Sequence, residues 1–179
     1  MTTLPISKQA LERFGPYSFF FGIVLIVVGS AGVILPGLMS VGVEALITWL
    51  LLIAGISWAV HTAKYSPGNI MEWLKPALLL VTGAVMLIYP VPGVEGVGMV
   101  LAIYLLLDAL HSVAKARAIY PERGWGIMAV NSAMSAILAG LFLVGWPQTS
   151  LWLVGLYIGI SLVFDGWALL FIGWKLRNA

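Results

Sequence analysis

Six stretches of the chain are almost continuously apolar: Tyr17 to Leu35, Val43 to Thr62, Leu74 to Tyr89, Val97 to Ala114, Trp125 to Val144 and Ser150 to Gly173. Each is long enough to cross, or nearly cross, a bilayer as a helix. A backbone in lipid must satisfy its own hydrogen bonds, so each is read as a transmembrane helix. The third is the shortest, and Pro76 is expected in its first turn, where a missing N–H costs least. Ahead of the first span, Leu4 to Phe14 reads either as a short interfacial helix or as a frayed tail. In the helical reading Ser7 caps it, Ile6 and Leu11 staple it, and Gly15-Pro16 stops it.

The pattern repeats. Pro36, Pro90 and Pro147 each end an odd-numbered span, 54 and then 57 residues apart. Seven residues before each lies a glycine: Gly29, Gly83 and Gly140. Eighteen residues after them come Ala54, Asp108 and Asp165, and a cation follows near the end of each return span: Lys64, Arg117 and Lys175. Proline cannot continue a helix and forces a turn where the chain meets water. Glycine lets the arms of one hairpin, or neighbouring hairpins, approach closely. The expected fold is therefore all-α: six transmembrane helices as three repeated hairpins (16–64, 72–117 and 124–177) in one membrane domain over residues 1–179. Parallel copies of one hairpin imply a pseudo-threefold axis along the membrane normal. Lys8 and Arg13 before an apolar run, with Val28-Gly29-Ser30 as a passable cleavage site, also fit a signal peptide. The later counterparts of Gly29 argue that the segment is a retained span.

Composition agrees with lipid as the solvent: 61% of residues are hydrophobic and 9% charged, against roughly 25% charged in soluble domains. Every Lys and Arg lies before span one, at the junction of spans two and three (Lys64, and Lys75 as the second residue of span three) or of four and five, or after span six. The three other loops, Pro36 to Gly42, Pro90 to Gly96 and Gly145 to Thr149, carry none. By the positive-inside rule both termini are cytoplasmic. A net charge of +2 does not point to nucleic acid. With no cysteine and two histidines, neither a metal site nor a cofactor is expected.

Small residues mark packing faces. Gly155-Leu-Tyr-Ile-Gly159, extended by Gly166 and Gly173, and the series Ser132, Ala136, Gly140 suit close helix contact within the chain or between subunits of a homo-oligomer. Membrane lipid is the other expected partner.

Asp108 and Asp165 are the candidate site residues, roughly 9 Å and 12 Å inside the cytoplasmic helix ends at about 1.5 Å per residue. A carboxylate so deep costs on the order of 2.5–3.5 kcal/mol, so it should face protein or water. One reading makes them proton-binding groups, with His111 and Lys115 continuing a polar stripe from Asp108. The other has them accept hydrogen bonds from a neighbouring helix, with Asn131, Ser132 or a tryptophan as donor. Glu44 and Glu95 stand near outer helix ends, either as favourable charges at helix N-termini or to capture a proton or cation. Asp165-Gly166 opens like a phosphatidyl-transferase motif, but Leu169 and Leu170 replace its alanine and arginine, so no enzyme activity is expected.

The threefold pattern resembles the HdeD family of bacterial acid-resistance membrane proteins, most clearly over Gly124 to Arg177 through Gly140, Pro147, Asp165, Gly166 and Lys175. The first repeat departs from it, with Ala54-Gly55 in place of Asp165-Gly166. What the resemblance implies is a six-span protein of the bacterial inner membrane linked to survival in acid or envelope stress, without catalytic residues. Buried carboxylates and parallel repeats keep a small proton- or solute-conducting channel open as an alternative, and the glycine faces a self-assembling scaffold.

Overall fold

A computed structural model describes residues 8–177. Six helices follow in order: α1 (Lys8–Ile34), α2 (Pro36–Tyr65), α3 (Ile70–Ile88), α4 (Pro90–Ile119), α5 (Trp125–Gly145) and α6 (Ser150–Arg177). Each contains a stretch long and apolar enough to cross a membrane, and no strand occurs among the described residues. The chain is all-α, with three successive helix pairs.

The turns inside the helix pairs are tighter than the apolar pattern predicts. Pro36 and Pro90 do not sit in loops but start α2 and α4, and the segments expected as loops, Pro36 to Gly42 and Pro90 to Gly96, are helical. Proline at a first helical position gives up an N–H that has no helical partner there. One residue, Leu35 or Tyr89, separates the helices. Leu35 N–H donates to Ala31 O at 2.8 Å and Met39 N–H to Leu35 O at 3.1 Å, and Tyr89 and Gly93 repeat this with Val85 and Tyr89. Few backbone groups need water at such a junction. The third turn is longer, running over Trp146 to Thr149 before Ser150.

Two further expectations change. Pro76 is the seventh residue of α3, not a first-turn residue, because Asn69 starts the helix early by accepting from Met71 N–H at 3.1 Å. α1 runs unbroken from Lys8 through Gly15-Pro16 to Ile34. In lipid, continuing the helix keeps backbone groups paired, which outweighs one proline. Leu4 to Ser7 lie outside the described residues. Between α4 and α5, Gly124 takes the left-handed φ of 109° that turns the chain into α5.

The helices form two compact units, one of α1 with α6 from Gly155 onward, the other from Ser40 to Val154. In the first, α1 and α6 touch backbone to backbone. A Cβ on Gly22 would lie 2.8 Å from the Gly166 carbonyl oxygen, and one on Gly166 2.7 Å from that of Gly22. One turn pair further, a Cβ on Gly29 would lie 2.7 Å from the Gly159 oxygen. In the second unit Gly83 of α3 rests on Leu52 of α2, Gly55 of α2 on Leu80 of α3, and α5 packs along α4. Each odd helix thus lies against the even helix of another repeat.

The even helices bury the same positions in every repeat. Counting from the turn proline, these are Glu44, Gly98 and Gly155 at the eighth residue, Thr48, Ala102 and Gly159 at the twelfth, Gly55, Ala109 and Gly166 at the nineteenth, and Thr62, Ala116 and Gly173 at the twenty-sixth. Steps of four and seven residues keep one narrow helix face inward. All are small except Glu44.

The third odd helix is out of register by one residue. A Cβ on Gly140 would meet nothing within 4 Å, whereas Ala139 is 1% exposed. The buried face of α5 is Ser132, Ser135, Ala139 and Phe142, not the four-step series of Ser132, Ala136 and Gly140. Strict four-residue steps advance about 40° each on a helix of 3.6 residues per turn and drift off the contact face. Gly29→Val should therefore cost about 1–3 kcal/mol by overpacking, read as a lower thermal midpoint in detergent. Gly140→Val should leave the midpoint within error of the parent; equal losses for both would refute this packing.

Candidate functional site: carboxylates inside the helices

Asp108 faces α5. Helical spacing stacks Asp108 over Ser112 on α4, and Asn131 over Ser135 on α5, so that the two pairs meet across the contact. Ser135 Oγ donates to Asp108 Oδ2 at 2.6 Å and Asn131 Nδ2 donates to the same oxygen at 3.2 Å. Asn131 Nδ2 also donates to Ser112 Oγ at 3.0 Å, and Ser132 Oγ to the Ala109 carbonyl at 2.8 Å. Of the donors expected from sequence, Asn131 reaches the carboxylate and Ser132 takes a backbone carbonyl instead. Ser135 is a donor that the sequence reading missed. Its one signal is the four-residue step from Asn131, which puts both on the face that Asp108 must meet.

The polar stripe beyond Asp108 does not assemble. His111 and Lys115 are exposed, and the partners of Asp108 all lie on α5. Asp165, its repeat counterpart, is exposed on α6, and no hydrogen bond or ion pair reaches it among the described residues.

Among the described residues the most buried carboxylate is Glu44, 3% exposed. It accepts from Thr48 Oγ1 at 2.8 Å, one turn along α2. Its carboxyl lies against Gly93 of α4, where a Cβ would come within 2.7 Å of Oε1. Because α2 begins at Pro36, Glu44 is its ninth residue and lies beyond the reach of the helix N-terminus, contrary to the favourable-charge reading. One turn before it, Ser40 Oγ donates to the Leu151 carbonyl at 2.6 Å and ties α2 to the start of α6. Close by in the chain, the buried hydroxyls of Thr149 and Ser150 have no hydrogen-bond partner, and Ser150 Oγ sits against Gly98. Glu95 is half-buried, and its backbone carbonyl, not its carboxyl, accepts from Trp146 Nε1 at 3.0 Å.

At the other end of α2 lies a cation–aromatic group. Lys75 Nζ stands 3.5 Å over the Trp58 ring, and His61 lies between Trp58 and Tyr65 with ring centroids 5.5 and 4.7 Å away. Stacking a cation on an indole fixes α3 against α2. Among the described residues no three His, Asp or Glu side chains come together as a metal site.

The arrangement makes Asp108 an acceptor that couples α4 to α5. A double-mutant cycle of Asp108→Ala with Ser135→Ala should give a coupling of about 0.5–1.7 kcal/mol, the range of interhelical hydrogen bonds in lipid. The measurement is unfolding free energy in bilayer discs, and zero coupling would show that the contact contributes nothing.

No curated protein and no solved structure matches the chain. A family model does, three times in succession, over residues 20–77, 76–138 and 132–179. Those three matches run through almost all of the spans just described, and the chain therefore belongs to the family described as short repeats of unknown function, DUF308.

Proposed function

We propose that this multi-pass membrane protein helps a bacterium withstand acid or envelope stress from its inner membrane, with both termini in the cytoplasm and without catalysing a reaction. The threefold family match carries this reading, in agreement with the resemblance to the HdeD proteins. The gathering of all Lys and Arg at the junctions of spans two with three and four with five and near the two chain ends supports the orientation. Carboxylates held inside the spans supply groups on which acidity can act. Deleting the gene should lower survival of an acid challenge several-fold, with restoration by the parent chain; survival equal to the parent across growth phases would falsify the role. An ordinary green fluorescent protein fused after Ala179 should fluoresce, because it does not mature when exported unfolded across the membrane; a dark fusion that is present at full length would contradict the orientation.

Asp165 favours a second element, self-association. A carboxylate exposed within a span costs on the order of 2.5–3.5 kcal/mol against lipid, and a second copy of the chain would cover it. Asp165→Cys should give a crosslinked dimer in native membranes, with only monomer as the contrary result.

A further inference from the structure

We propose that Glu44 is a proton-binding site of this protein, loaded from the face of the membrane at which α2 and α4 begin. At the eighth residue after the turn proline the other two repeats carry Gly98 and Gly155, and all three positions are buried. The fold is thus built twice without any side chain there, so packing alone does not require a carboxyl. Room for it is made across the contact by Gly93.

The surroundings leave that carboxyl short of partners for a negative charge. Thr48 Oγ1 is its hydrogen-bond donor on α2, and no cation pairs with it among the described residues. On α4 the ionisable residues at this end are Glu95 and, at the preceding turn, Tyr89. The outer ends of α3 and α5 bring no charge, and neither does the start of α6 from Ser150 to Val154. A buried carboxylate with one hydroxyl donor is costly to keep charged, and taking up a proton removes that cost. In the step a hydronium gives its proton to a Glu44 oxygen, leaving water and a neutral acid.

The unpartnered hydroxyl of Ser150, fully buried against Gly98, is a second polar group with unused hydrogen-bonding capacity at this end of the unit. Glu44 lies about 12 Å along α2 from Pro36 at about 1.5 Å per residue. Ala102 and Leu105, both buried on α4, stand between its level and that of Asp108. Proton binding at Glu44 is therefore an event of one membrane face, separate from Asp108, and it holds whether or not the chain protects against acid.

The test is infrared difference spectroscopy of the full chain in lipid nanodiscs, titrated from neutral to mildly acidic. The parent and Asp108→Asn should gain a carbonyl band of a buried neutral carboxylic acid that Glu44→Gln lacks. A Glu44→Gln spectrum that superimposes on the parent throughout overturns the proposal. Thr48→Val, which keeps size and shape, covers the case in which Glu44→Gln does not fold. It should move the band to higher frequency by removing the hydroxyl from the acid, and an unmoved band assigns the signal elsewhere and equally overturns the site.

Discussion

Close approach of backbones is the constraint on which this protein depends. Lipid tails are as apolar as leucine, so burying leucine between helices gains little in a membrane. Association rests instead on dispersion contacts and hydrogen bonds that improve as axes draw together. The inward faces of the even helices answer that constraint with glycine, alanine and threonine at recurring positions. The large apolar side chains, such as Phe20, Leu50 and Ile103, are left exposed for lipid. The core is small-residue and the surface is greasy, the reverse of a soluble bundle.

The same constraint explains why α1 and α6 meet through reciprocal glycines, whereas α5 meets α4 through serines and an asparagine. Where both partners offer glycine, carbonyl oxygens come near enough that no Cβ fits. Where Ala109 and Ala139 stand in place of glycine, Ser132, Ser135 and Asn131 join the two helices with hydrogen bonds. Two chemical solutions serve one architectural position in different repeats.

Much of this was legible in the residues. Apolar length placed six helices, and the spacing of proline from glycine placed the repeat, because both follow from local backbone chemistry. What the spacing could not convey was which neighbour each helix chooses: Gly29 says that something comes close, not that Gly159 does. The apolar pattern makes Pro36 and Pro90 endings where the structure makes them beginnings, since a residue without an N–H suits either side of a helix boundary. Gly140 shares the distance of Gly83 from its proline, yet the longer turn at Trp146 to Thr149 moves the contact to Ala139. Ser135 went unseen because a hydroxyl in a run of small residues has no period of its own until Asp108 is set opposite it.

The carboxylates divide along the same line. Asp108 recurs as Asp165 in the third repeat, but its partners on α5 do not recur, so an equivalent position is half-buried and paired in one copy and exposed in the other. Glu44 shows the converse: a position buried in all three copies, occupied by glycine in two and by a carboxyl in one. Repetition fixes where the backbone runs and how near it comes to its neighbours. It leaves each copy free to diverge in what it places there, and a departure from a buried glycine is harder to make than a departure on an open face. A side chain that enters such a position must be matched by space on the facing helix, and Gly93 supplies that space opposite Glu44 alone. A site reached by two such concerted choices is where chemistry particular to this chain is to be sought, ahead of the aspartates that its repeats share.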